Sequence, residues 1–73
     1  MPKVVSNTTP IISLLKIGRL EILKELYEEI YVPQEVFNEI EAGKHKEYYL
    51  NLLEFEWIKI EQIQDRKSIA SLI

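Results

Sequence analysis

Residues 3–18 read KVVSNTTPIISLLKIG, and the order of apolar and turn-forming residues in this segment indicates the fold class. The β-branched pair Val4–Val5 in a short apolar run is typical of a buried strand of about four residues. The segment 7–10, Asn-Thr-Thr-Pro, then interrupts the apolar pattern. Either threonine can cap a helix, and the proline suits its first position because the missing N–H would be unpaired there. The apolar residues that follow predict a helix buried on more than one face, ended by Gly18 in a left-handed conformation.

The chain then repeats this unit of short strand, proline turn, helix and glycine. A second helix with a single apolar stripe is predicted from about Arg19 to Tyr27. Residues 30–32 form the next strand candidate, and Pro33 again stands where a helix begins. Gly43 ends that helix. The repetition indicates that strands and helices alternate along the chain.

The last third of the chain is less regular. Residues 48–53 have helical spacing, and 55–60 read as a third strand that alternates imperfectly. Asp65 can cap a last helical turn that contains Ile69, Leu72 and Ile73. Strand, helix, strand, helix, strand is the pattern of an α/β fold with a short parallel sheet of about three strands and right-handed crossover helices.

Length and composition exclude several classes of protein. At 73 residues there is room for one small domain, whose core is marginal without a metal, a disulfide or a partner. No cysteine and one histidine argue against disulfides and zinc sites. The absence of a signal peptide and of a long apolar run indicates a cytoplasmic protein without a membrane span. A net charge of −3 argues against nucleic-acid affinity from a basic surface.

Two residues stand where parallel sheets collect functional groups. Asn7 directly follows the first strand, at the carboxyl end where ligands bind in such sheets. It can orient water or bind a ligand oxygen, or it can be an ordinary turn residue that bonds its own backbone. Glu39 lies about −60° from Val36 on the third helix, at the border of the apolar face, where it could be drawn partly inward. A carboxylate there can bind a hard cation, or it can be a solvated helix charge.

Other candidates have simpler interpretations. The basic segment 44–46, Lys-His-Lys, could contact phosphate, although a solvated loop is the commoner case. His45 has no visible serine, cysteine or aspartate partner, so a catalytic triad has no support. Tyr48, Tyr49 and Trp57 could stack on bases, but their spacing favours packing in the core.

The order of these residues resembles the N-terminal half of PIN-domain proteins. The similarity spans residues 3–60 approximately. The residues that carry it are 4–12 (VVSNTTPII), 14–20 (LLKIGRL) and Tyr31-Val32-Pro33 with Val36 and Glu39-Ile40. It is greatest for a subgroup of uncharacterised prokaryotic PIN-like proteins that are described as predicted nucleic acid-binding. The resemblance implies a three-layer α/β fold, here truncated.

The resemblance also implies an activity. Many PIN domains are Mg²⁺- or Mn²⁺-dependent ribonucleases, including toxins of toxin–antitoxin pairs, in which an acidic cluster holds the metal that activates water. The family's first carboxylate matches Asn7, its second matches Glu39, and its nearby hydroxyl matches Thr8. The resemblance therefore makes these three the expected catalytic residues, with Glu39 and Asn7 as the expected metal ligands. RNA and an antitoxin protein are the implied partners.

The chain departs from the family in two ways. Asn7 is neutral where most members have aspartate, and the family's remaining acids come from the C-terminal half. We therefore expect residues 1–73 to be the N-terminal part of a PIN-like domain, inactive alone. The alternatives are a non-enzymatic remnant or regulatory module that self-assembles, and an unrelated small α/β binding module. Without the later strand of the full fold, the edge of strand one would be bare, which predicts a homodimer or larger oligomer that covers this strand or the first helix.

Overall fold

The computed structural model describes residues 3–61 and 69–73. In chain order these residues form β1 (Lys3–Val5), α1 (Thr8–Lys16), α2 (Glu21–Tyr27), β2 (Ile30–Pro33), α3 (Gln34–Ala42), a 3-10 turn (Leu52–Glu54), β3 (Ile58–Glu61) and β4 (Ile69–Leu72). None of the helices in this part of the chain is long and apolar enough to cross a membrane.

The strands form one parallel sheet in the order β3-β2-β1-β4. Val5 lies in register with Tyr31 on one side and with Leu72 on the other. The α/β class and the three predicted parallel strands are confirmed. The steps from β1 to β2 and from β2 to β3 run in the same direction, so right-handed crossovers place α1, α2 and α3 on one face. The connection from β3 to β4, residues 62–68, lies outside the described residues.

The fourth strand corrects two predictions. Ile69, Leu72 and Ile73 were expected in a helical turn, but Ile69–Leu72 is a strand that pairs with β1. The Ile73 N–H donates to the Val5 carbonyl at 2.8 Å. The edge of strand one is therefore covered within the chain, and the premise that it would be bare is wrong. Asp65, the expected cap of that turn, lies outside the described residues.

An apolar core lies between the sheet and the helices. Each of the three helices contributes to it, because the apolar stripes of α1, α2 and α3 face the same side of the sheet. Its buried members are Ile11, Leu15, Leu20, Leu23, Ile30, Val32, Ile40, Leu52 and Ile58. The 3-10 turn anchors the loop after α3, since Leu52 is fully buried.

The helix ends differ in detail from the prediction. The helix α1 begins at Thr8 with Asn7 in the N-cap position, so neither threonine caps it and the proline falls in its third position. Proline is tolerated there because the first four N–H groups of a helix have no partner within the helix. Gly18 has a φ of 68°, which confirms its left-handed position after the helix. The short helix expected over 48–53 is limited to the 3-10 turn Leu52–Glu54.

Candidate functional site

The polar residues expected at the site lie at the ends of neighbouring elements. The strands β1 and β2 are parallel neighbours, so their carboxyl ends meet at the same edge of the sheet. Asn7 follows β1 and leads into α1, while α3 follows β2 directly. The two helices also pack against each other. This topology brings the start of α1 and one side of α3 to the same edge.

Thr8 and Glu39 are in direct contact at this edge. The Thr8 hydroxyl donates a hydrogen bond to Glu39 Oε2 at 2.7 Å, across 31 positions of sequence. A hydrogen bond to an ionised acceptor is shorter and stronger than one between neutral groups. It uses one of about four lone-pair sites of the carboxylate, so oxygen sites remain for a cation. Thr8 therefore orients the Glu39 carboxylate without blocking it.

Glu39 reaches this contact from the solvent side of α3. Its side chain is exposed, whereas Thr8 is half-buried. The helical position at the border of the apolar stripe explains this, because such a residue can lean toward the neighbouring helix and keep its carboxylate in water. The sequence predicts that Glu39 is drawn partly inward. In the structure its side chain is held by the hydrogen bond to Thr8 but is not buried.

The backbone of Asn7 is held from both sides. Its N–H donates to the Ile73 carbonyl at 2.6 Å, and its carbonyl accepts from the buried Ser6 hydroxyl at 3.0 Å. The residue is extended, with φ −82° and ψ 175°, and its side chain forms no capping hydrogen bond to α1. The carboxamide is exposed. The turn-residue interpretation, in which the side chain bonds its own helix start, is therefore not realised.

Asn7, Thr8 and Glu39 do not form a complete metal site. Their donor atoms are oxygens, which are the ligands that Mg²⁺ prefers. They include one carboxylate, one neutral amide and one hydroxyl, and the hydroxyl already donates to the carboxylate. Within residues 3–61 and 69–73, no three side chains of His, Cys, Asp or Glu come together as a metal-binding group. The donor chemistry fits a hard cation, but the donor number does not.

The aromatic candidates pack within the fold, whereas the basic segment 44–46 does not. The Lys16 Nζ lies 5.7 Å from the centre of the Tyr48 ring, a cation–π contact. Phe55 and Trp57 pack edge to face at 5.7 Å between ring centres. These contacts favour the packing interpretation of the aromatic residues. Lys44, His45 and Lys46 are exposed, in keeping with a solvated loop.

One polar contact was not anticipated from the sequence. The Tyr49 hydroxyl donates a short hydrogen bond to Glu41 Oε2, which ties the loop after α3 to the last turn of that helix. This hydrogen bond, with a smaller effect of burial, raises the pKa of Tyr49 from 10.0 to about 12. The two residues are eight positions apart across a turn, a spacing that no periodic pattern reveals.

The parallel sheet with helices between its strands defines an α/β domain, and oxygen-bearing side chains lie beyond the end of its first strand. A family model described as PIN domain matches residues 3–73, so the chain belongs to the PIN-domain family. The PIN family is a nuclease-type domain family and implies an interaction with nucleic acid. No match to the chain was found among curated proteins or among solved structures.

Proposed function

We propose that this chain supplies part of the active site of a PIN-type, Mg²⁺- or Mn²⁺-dependent ribonuclease. The observation that supports this most is the Thr8–Glu39 hydrogen bond at the carboxyl end of β1, in a chain that belongs to the PIN-domain family. Glu39 would be the anionic metal ligand, Asn7 a neutral oxygen ligand, and Thr8 the residue that orients Glu39. RNA is the substrate class, and an antitoxin protein is the partner if the nuclease acts as a toxin.

The donor set limits what these 73 residues do alone. A hard divalent cation in a protein is held by more oxygen charge than one carboxylate and one amide provide. We propose that residues 1–73 act as the N-terminal part of the domain and bind the metal weakly. On this account they do not cleave RNA by themselves, and further carboxylates complete the site.

A matched pair of variants tests the metal ligand. Glu35 lies one helical turn before Glu39 on α3 and is also exposed, so Glu35→Gln makes the same charge change beside the site. Mn²⁺ binding measured by electron paramagnetic resonance should be weakened at least about tenfold in Glu39→Gln, since the site loses its only anionic ligand. Glu35→Gln should bind as the unmodified chain does. Equal binding by all three chains would contradict the assignment of Glu39.

An RNA cleavage assay with Mn²⁺ tests the second part of the proposal. With Mn²⁺ present, we expect the unmodified 73-residue chain to cleave RNA no faster than the Glu39→Gln variant does. If the unmodified chain cleaves RNA and Glu39→Gln abolishes that cleavage, the result would support a ribonuclease. It would also contradict the proposal that these 73 residues hold only part of the active site. Metal-dependent cleavage that survives Glu39→Gln would contradict the proposed site.

The second candidate function is a non-enzymatic module that acts by self-association. The observation that favours it is the outer edge of β4, which no strand among the described residues covers. Such an edge pairs readily with another strand. Absence of Mn²⁺ binding together with a concentration-dependent dimer would favour this candidate over the nuclease.

A further inference from the structure

Ser6 places a hydroxyl group in the interior of the fold, directly after β1. The residue is 0% exposed, and its N–H donates to the Tyr31 carbonyl at 2.9 Å. Because Val5 lies in register with Tyr31, Ser6 lies opposite Val32, which is a fully buried member of the apolar core. A hydroxyl group in such a position destabilises the fold unless it is hydrogen-bonded. Its hydrogen bond therefore indicates what the serine does there.

The Ser6 hydroxyl donates its hydrogen bond to the Asn7 carbonyl at 3.0 Å. This carbonyl belongs to the peptide group that joins Asn7 to Thr8. Because a peptide group is planar, holding its carbonyl also sets the direction in which the backbone of Thr8 continues. The Thr8 hydroxyl in turn donates to Glu39 Oε2 at 2.7 Å. The buried hydroxyl thus acts on the one peptide group that separates two of the site residues.

The backbone pairing of β1 with β2 stops just before this peptide group. Pro33 follows Val32 in β2 and has no N–H, so the ladder between the two strands ends at the N–H of Ser6. The Asn7 N–H donates to the Ile73 carbonyl, which restrains the peptide group before Asn7 and not the one after it. The Ser6 hydroxyl therefore ties the start of α1 to the buried end of β1.

We propose that Ser6 is a positioning residue of the site. Its buried hydroxyl holds the Asn7–Thr8 peptide group so that the Thr8 hydroxyl reaches Glu39, and Ser6 itself contacts neither metal nor substrate. What the site binds rests on the proposed function. The positioning concerns residues of this chain alone, so it can be measured without metal.

The rotamer of Thr8 tests the positioning directly. In metal-free protein, the three-bond couplings from Thr8 Cγ2 to its backbone nitrogen and carbonyl carbon report the χ1 angle. A threonine held by a hydrogen bond populates one staggered rotamer, whereas a released one averages over several. We expect one rotamer in the unmodified chain and in Ser6→Thr, which keeps the hydroxyl. Ser6→Ala and Ser6→Cys, which lack a strong donor, should show averaged couplings.

Val32→Ala is the matched control for a general loosening of the core. Val32 lies opposite Ser6 and is equally buried, but its truncation leaves the Ser6 hydroxyl in place. We expect Val32→Ala to lower stability and to leave the Thr8 couplings as they are in the unmodified chain. Unchanged couplings in both Ser6→Ala and Ser6→Cys, or an equal change in Val32→Ala, would overturn the proposal.

Mn²⁺ binding by the same folded variants connects the positioning to the site. Ser6→Ala should bind Mn²⁺ at least about threefold more weakly than Ser6→Thr, because groups that orient metal ligands contribute to affinity. Val32→Ala should bind as the unmodified chain does. If no chain binds Mn²⁺ while the couplings change as expected, the positioning is supported and the proposed function fails. If Mn²⁺ binds at Glu39 while Ser6→Ala changes neither the couplings nor the affinity, the positioning is overturned and the proposed function stands.

Discussion

The Thr8 hydroxyl links α1 to α3 through the Glu39 carboxylate, and this contact defines the geometry of the site. A threonine at the start of a helix commonly satisfies a backbone N–H of its own first turn. Here Asn7 takes the cap position, which leaves the hydroxyl of Thr8 available for a different partner. The carboxylate is therefore held in one orientation by a residue from another element, as pre-organised sites require.

The Tyr49–Glu41 hydrogen bond predicts a specific dependence of stability on pH. Folding raises the pKa of Tyr49 from 10.0 to about 12, so the stabilisation from the neutral phenol is complete below pH 10. It is lost as the pH rises through 12. The difference in unfolding free energy between the unmodified chain and Tyr49→Phe should be constant below pH 10 and shrink between pH 10 and 12. Urea titrations across this range measure it.

Glu41→Gln is the control for this prediction. It removes the carboxylate that is the main cause of the raised pKa of Tyr49. In a Glu41→Gln background, Tyr49→Phe should therefore change the unfolding free energy by an amount that varies much less between pH 10 and 12, since only the smaller effects of burial and of Glu54 remain. A variation of undiminished size in this background would show that Glu41 is not its main cause.

Single residues also show what the sequence could predict about the site. The positions of Asn7 and Glu39 followed from strand and helix patterns and from the family motif. The pairing of Thr8 with Glu39 did not, because it depends on how α1 and α3 pack, and no local pattern encodes that packing. The Tyr49–Glu41 contact escaped prediction for the same reason.

At the scale of elements, the end of α2 contains a strained residue. Glu28 has φ 65° and ψ −43°, and the Glu29 N–H donates to the Tyr27 carbonyl at 2.7 Å, which is the geometry of a classic γ-turn. Among the described residues other than glycine, Glu28 alone has a positive φ. Such a conformation costs about 1–3 kcal/mol in a residue with a Cβ.

Glu28→Gly should relieve this strain. We expect the unfolding free energy to rise by about 1 kcal/mol. This is the net of two effects, because the relief of strain stabilises the folded chain while the added backbone entropy of glycine favours the unfolded chain. Glu29→Gly is the matched control, because Glu29 has no positive φ and the same entropy should lower the unfolding free energy by about 0.5–1 kcal/mol. Denaturant unfolding measures both. A Glu28→Gly variant no more stable than the parent would contradict the strained turn.

The strand β4 shows where element prediction failed. The apolar spacing of Ile69, Leu72 and Ile73 fits a helical turn, but a short apolar run cannot be distinguished from a buried strand by periodicity alone. Pairing with β1 decided the outcome, and that pairing is a long-range contact. The earlier strands and helices were predicted better, because proline and glycine mark the boundaries of most of them.

At the scale of the whole molecule, one small core supports the site, so its buried residues should be sensitive to truncation. Leu52 is 0% exposed and its neighbour Leu53 is 66% exposed on the same 3-10 turn. Leu52→Ala should lower the unfolding free energy by about 2–5 kcal/mol, a large part of the stability of a small domain. Leu53→Ala should change it by less than about 0.5 kcal/mol. Thermal unfolding of both variants measures the contrast, and equal effects would contradict the described burial.

We propose that Asn7, Thr8 and Glu39 form the metal-binding part of a PIN-type site. Paramagnetic Mn²⁺ maps even weak sites, because it broadens the amide signals of nearby residues at substoichiometric concentration. In a ¹⁵N-labelled chain we predict that the amide signals of these three residues broaden first, and that Mg²⁺ competes. Broadening that begins at other carboxylates, such as Glu28 and Glu29, and leaves these three signals unchanged would contradict the claim.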